Sequence, residues 1–192
     1  MVRDIAPRRV AGRPRSAEID ARLIDATLSL LREAGPEAVN IQAVAEQAGI
    51  AKTTIYRRYR NRDAMLRAAI ESAVTPPSEP PSGGVHDRVT WALRQVREIL
   101  GVVLGPGGVA ALLEEREPGF TGLVREALDP YNDALIALIN ADVADGRLRP
   151  DLDADAVVSL LMGCYLGELL RRGVADDDWL SRCAKLIWHA IT

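Results

Sequence analysis

Apolar residues recur along this chain at the three- and four-residue spacing of a helix, and no segment sustains the alternation of a strand. The pattern predicts an all-α protein of about nine helices. Ser16 is placed to cap the first, whose apolar face is Ile19, Leu23, Ala26/Thr27, Leu30 and Leu31, and Gly35-Pro36 ends it. Three short helices are expected at roughly 41–47, 52–58 and 62–74, opened by Asn40, by the Ala51/Lys52 corner and by Asn61. Thr75 to Gly84 reads TPPSEPPSGG, which suits neither helix nor strand and predicts a linker. Val85, Val89, Ala92, Val96, Ile99 and Val103 then mark one buried stripe of a long amphipathic helix, stopped by Gly105-Pro106-Gly107-Gly108. A short helix near 108–116 is followed by one from about 120 to 145, which Pro130 must either kink or restart. Helices at about 154–172 and 177–191 close the chain.

Charge divides the chain where the linker does. The net charge is −3 over 192 residues, which taken alone argues against a polyanionic partner. Residues 1–70, however, hold 13 Arg/Lys against 8 Asp/Glu, whereas 71–192 hold 11 against 19. A basic head on an acidic body is the electrostatic footprint of a nucleic-acid-binding module joined to something else. The organisation expected is a flexible basic arm at 1–15, a head at 16–74, a linker at 75–84 and a second domain at 85–192. No run of about 18 apolar residues and no signal-peptide core stand out, so a cytoplasmic protein without a membrane partner is expected.

The candidate chemistry lies in the head. Two short helices that cross closely need a small residue at the crossing and a turn residue that tolerates positive φ; Ala45 and Gly49 supply these. Val44, Ala48, Ile50 and Ile55 are spaced to form the small core between them. The exposed side of the second helix then carries Lys52, Thr53, Thr54, Arg57 and Arg58, and Lys52 to Arg62 contains no acid. A plain helical hairpin gives the same apolar pattern. The hydroxyls, cations and tyrosines gathered on one side favour a helix-turn-helix that bonds phosphates and base edges.

The stretch AVAEQAGIAKTTIYRRYRNRDAML, residues 43–66, resembles the signature of TetR-type regulators, as does LIDATLSLLREAG at 23–35. Residues 134–173 are more loosely similar to the ligand-domain end of an actinobacterial-style branch of that family. The resemblance implies that Lys52, Thr53, Thr54 and Tyr56 face the major groove of double-stranded operator DNA. It further implies phosphate bonds from Tyr56, Tyr59 and Arg62, with Asn40 and Gln42 holding the other strand. This sequence departs from the family pattern at four places: Asn40 replaces threonine, Arg58 histidine, Tyr59 phenylalanine and Arg62 lysine. In the arm, Arg13 and Arg15 either decorate a disordered tail or enter a narrow minor groove.

The resemblance also implies a homodimer built on the last two helices as a four-helix bundle. Val157, Leu160, Leu161, Gly163 and Gly167 on one, with Trp179, Cys183 and Ile187 on the other, are the candidate interface; completing the core of one chain is the alternative. A mostly apolar cavity for a small lipophilic effector is implied as well. Its candidate lining is Trp91, Leu112, Phe120, Leu123, Tyr131, Leu135, Cys164 and Glu168, with plain core again the alternative. The function expected is a ligand-responsive repressor on a palindromic operator, with an activator or a ligand-independent regulator as the other sign of the same machinery.

An enzyme is not expected. His86 and His189 have no metal or nucleophile pattern around them, and Cys183 and His189 point to different faces of one helix. No metal or cofactor is implied. Cys164 and Cys183 lack the spacing of a metal clip or redox motif and read as small apolar residues.

Overall fold

The computed structural model describes residues 14–74 and 80–192, and among these the backbone is helical with no strand. The elements are α1 (Pro14–Ala34), α2 (Ile41–Ala48), α3 (Lys52–Tyr56), α4 (Arg62–Ala73), α5 (Val85–Arg97), α6 (Gly105–Glu114), α7 (Pro118–Ala144), α8 (Ala154–Arg172) and α9 (Asp177–Ile191). Several starts have a local cause. The Asn40 and Asn61 side chains accept from Ala43 N and Ala64 N, both at 2.9 Å, and Asp176 accepts from Trp179 N at 2.8 Å. Ser16, expected as the first cap, lies inside α1, because Pro14 already suits the opening turn.

Two of the expected breaks take a different form. A π-helical segment, Glu98–Leu104, continues α5, and the break falls at Gly105, whose φ of 63° no β-carbon residue adopts cheaply. At Pro130 the chain neither stops nor restarts: α7 continues through it. Within Val85–Glu114 an 18-residue window, with mean hydropathy 1.6, is apolar enough by composition to cross a bilayer. Here it packs against α1, α8 and α9 and bends at Gly105.

α1 joins the two parts of the chain. One side of it packs on α2 and α4, the other on α6 and the π-helical segment. Leu23, Leu31 and Thr27 are wholly buried between them, and Thr27 satisfies its hydroxyl on Leu23 O at 2.7 Å. At the end of α1, Gly35 meets Gly107, where a β-carbon would stand 2.7 Å from Leu31 O. In the body, buried Asp142 of α7 binds Arg88 of α5 and Arg147, the latter through Nη2 at 2.7 Å. A buried carboxylate needs such partners to remain charged.

Candidate nucleic-acid interface

The α2–turn–α3 unit is fixed from below and open above. Val44, Ala45, Ala48 and Ile55 are buried, while Ile50 is only half-buried. Gly49 takes the left-handed conformation, φ 62° and ψ 38°, and Ile50 N donates to Ala45 O at 3.0 Å across the turn. Arg22 of α1 donates to Ala48 O and so covers a carbonyl left over at the end of α2. On the open side Lys52, Thr53, Tyr56 and Arg57 are exposed; Tyr56 keeps 59% of its surface accessible, a large value for an aromatic ring in so short a helix. Thr54 is half-buried. Asn40 and Gln42 are exposed at the start of α2, and Gln42 bonds Glu46 one turn on.

α3 ends at Tyr56, two residues earlier than expected, so Arg57 and Arg58 leave in a turn and diverge. Arg58 points back to Asp20 of α1 and forms an ion pair with it. Tyr59 is half-buried beside the same pair; burial first and Asp20 second push its phenol above the usual range, which keeps it a hydrogen-bond donor. Arg62 departs furthest from the expectation of a phosphate contact. Its Nε donates to Val39 O at 2.7 Å, and its Nη2 bonds Pro36 O and the Glu117 carboxylate. The side chain thus staples α4 to the α1–α2 connection. Neither Asp20 nor Glu117 carries a sequence signal for these roles, since both partners are distant along the chain. Of the arm, Arg13 lies outside the described residues and Arg15 stands in the opening turn of α1.

The family model for bacterial regulatory proteins of the tetR family matches residues 23–69, which span α1 from Leu23, the helix-turn-helix and most of α4. The HTH-type transcriptional regulator YdeS of Bacillus subtilis is 28% identical over 87% of this chain and 86% of its own length. The DNA-binding transcriptional repressor TetR of Mycobacteroides abscessus is 25% identical over 84% of this chain and 87% of its own. Residues 23–69 thus match a tetR-family head, and the chain is similar to TetR-family transcriptional regulators over most of its length. Its fold extends that likeness beyond the head: the transcriptional regulator FadR from Bacillus subtilis, solved in complex with stearoyl-CoA, superposes with TM-score 0.67 at 17% identity, over 88% of this chain and 95% of that one.

In the body of the chain, four of the expected interface residues face inward. Val157, Leu161, Trp179 and Ile187 are buried in the chain's own core, Trp179 at 1% exposure, so they have no area left to give a partner. A helix buries one face of each apolar pair and exposes the other, and periodicity alone does not say which face meets which neighbour. The outward residues on α8 are Leu160, Gly163 and Leu170, with Gly167 half-buried among them; Val174, just past the end of the helix, and Leu186 on α9 are exposed as well. Cys183 is half-buried and so neither fully outward nor sealed in the core.

The expected cavity lining is dispersed. Tyr131 and Leu135 border a gap of ≈ 20 Å³ with Val96, Ile99 and Met162, and Leu135 also borders one of ≈ 40 Å³ beside Arg88 and Asp142. Phe120 and Leu123 instead floor an open cleft of ≈ 780 Å³ between α4 and α7, rimmed by Arg60, Arg62, Arg67 and Arg116. Trp91, Leu112, Cys164 and Glu168 border none of these spaces. Glu168 is buried and bound to Arg182 at 3.0 Å, with Arg171 and Arg172 near, so it locks α8 to α9 rather than anchoring a ligand.

Proposed function

We propose that this regulator is a cytoplasmic, ligand-responsive repressor that binds a palindromic operator as a homodimer. The observation that carries the DNA half is the exposed set Lys52, Thr53, Tyr56 and Arg57, presented by a short helix whose other side is clamped in the core. Asn40, Gln42 and Thr54 border this surface. Residues 16–74 form the head in this reading, 85–192 the body, 75–84 the linker and 1–15 the basic arm. A single three-helix head reads only a short site, so a symmetric pair is required for operator specificity. The exposed apolar residues of α8 and α9, with Leu170 at 88% and Leu186 at 71% exposure, support that pairing.

The effector is a small lipophilic molecule that enters between α5, α7 and α8, where the two gaps flank Leu135. They are far smaller than the roughly 300 Å³ needed by a drug-sized ligand. Ligand binding must therefore open the packing, and the π-helical segment beside the smaller gap gives the wall a place to yield. α7 then supplies the route to the head. It runs from Leu135 back to Pro118, roughly 25 Å at 1.5 Å per residue, and the residue before it, Glu117, holds Arg62. A ligand that favours the opened core shifts the heads by its differential affinity for the two states.

Fluorescence anisotropy with duplexes tiling the DNA that flanks the gene tests the proposal. One duplex containing an inverted repeat should bind at least a hundredfold more tightly than the rest, with affinity falling steeply as salt rises. Equal affinity for every tile would remove the operator from the reading.

A further inference from the structure

The open cleft of ≈ 780 Å³ between α4 and α7 gathers guanidiniums from separate stretches of chain: Arg60 from the turn before α4, Arg62 and Arg67 from α4, and Arg116 from the turn before α7. Three of the four have donors to spare. Arg60 is exposed and has no hydrogen bond or ion pair among the described residues. Arg67 bonds Glu126 through Nη1, with Glu71 further off, and Arg116 meets Glu114 at Nε. These pairs are exposed at both ends, where an ion pair contributes little and exchanges readily. Arg62 differs, being committed to Pro36, Val39 and Glu117. We propose that the cleft is a binding site for a small phosphorylated molecule, its phosphate held by Arg60, Arg67 and Arg116 and its apolar remainder lying over Pro118, Phe120 and Leu123. Neither the operator nor the interior effector enters this assignment.

Charge and shape select that class of ligand. Two acids share the lining, Asp63 and Glu117, and both pair with Arg62, so the other three guanidiniums are left to face a ligand. Four cations against two carboxylates leave two positive charges in excess within the lining. Glu71, Glu114 and Glu126 stand outside it and can turn to water as an anion enters. A planar guanidinium fork matches a phosphate in two-point contact, and a dianion balances the excess where a single carboxylate does not. Both α4 and α7 begin in this lining, and α7 has no side-chain cap, so their positive ends add to the field. Duplex DNA is the competing source of phosphate, since Arg60 follows closely on α3. A duplex backbone, however, has nothing to set against Phe120, Leu123 and exposed Pro118, whereas a small molecule with a ring or chain uses both parts of the cleft. The space lies within the roughly 300–1,000 Å³ of small-molecule sites.

Calorimetric titration of the full chain with inorganic phosphate, phenyl phosphate and benzoate at low salt tests the assignment. Phenyl phosphate should bind at one equivalent per chain, more tightly than phosphate, which lacks the ring, and than benzoate, which lacks the second charge. Arg60→Ala and Arg116→Ala alter exposed side chains outside the core, and each should weaken phenyl phosphate roughly tenfold, the loss of a hydrogen bond to a charged group. Asp63→Asn should tighten it by removing a competing carboxylate. A variant carrying both Lys52→Ala and Arg57→Ala, stripped on the open face of α3, should bind as the wild type does. No saturable heat at millimolar phenyl phosphate, several weak equivalents per chain, or binding lost in the Lys52/Arg57 variant and kept in the other two would each overturn the site. Benzoate binding as tightly as phenyl phosphate would overturn the phosphate, and inorganic phosphate doing so would overturn the apolar part. If Arg60→Ala and Arg116→Ala spare phenyl phosphate but lower the salt slope of duplex binding, the anion is the DNA backbone and the small-molecule site falls.

Discussion

The Arg62 guanidinium and the Glu117 carboxylate meet at 3.0 Å, joining the first turn of α4 to the residue that opens α7. Both are less than one-third exposed, and the same guanidinium holds the carbonyls of Pro36 and Val39. Arg62→Ala leaves two backbone acceptors and a carboxylate without their donor. Losing a charged hydrogen-bond network of this kind costs about 1–3 kcal/mol. The denaturation midpoint should fall accordingly, and Arg62→Lys should recover only part of the loss because an ammonium cannot span all three acceptors in one plane. Glu117→Gln keeps the geometry and should cost less than either.

On the DNA side, exposure separates two kinds of contact. Lys52→Ala and Arg57→Ala should weaken every duplex alike and lower the slope of log affinity against log salt by about 0.9 for each phosphate no longer neutralised. Thr53→Ala, which removes a hydroxyl from the open face of α3, should instead alter the preference among operator variants. Tyr56→Phe should weaken all sequences nearly equally. Arg58→Ala is expected to act mainly on stability, through Asp20. Anisotropy titrations at three salt concentrations distinguish these outcomes.

Much of this head was legible in the sequence because its signals are local. Asn40, Gly49 and Asn61 act within three or four residues of themselves, and the helices they bound fall within a residue or two of expectation. The engagements of Arg58 and Arg62 were not legible, since Asp20 and Glu117 lie far off in the chain and a basic side chain looks the same whether it faces phosphate or carboxylate. The body follows the same rule. The ranges of α8 and α9 match the pattern, yet Trp179 and Ile187 face inward where an interface was expected, and Leu170 and Leu186 face outward. Helical period fixes which residues share a face but leaves open what that face meets. Glu168 shows the limit most plainly: its partner, Arg182, sits on the next helix, and only the placement of α9 beside α8 selects it.

The contact between Gly35 and Gly107 makes a stability prediction at the seam of head and body. A methyl group on Gly107 would stand 2.7 Å from Leu31 O and against the Gly35 backbone, and backbone cannot swing aside as a long side chain does. Gly107→Ala should cost about 1–3 kcal/mol, the range for overpacking a close contact. Gly163→Ala and Gly167→Ala meet nothing within 4 Å in the single chain and should leave its stability unchanged or slightly improved by helix propensity. Thermal unfolding of the three variants under identical conditions checks the contrast.

Those two α8 glycines have a second readout, because open space in one chain is where a second copy would lie. If the exposed apolar residues of α8 and α9 pair with a second copy, Leu170→Glu and Leu186→Glu each place a charge into an apolar contact, where it lacks a partner. Both residues are largely exposed in the single chain, so the fold itself loses little. Light scattering at micromolar concentration should show the wild type as a dimer and both variants as folded monomers, with operator affinity down at least a hundredfold because one head alone remains on each particle. Trp179→Ala is the control: that ring is buried within the chain, and its removal should cost about 3–5 kcal/mol in stability without selectively dissociating folded dimer. A wild-type monomer would refute the pairing, and variants that stayed dimeric would move the interface away from these residues.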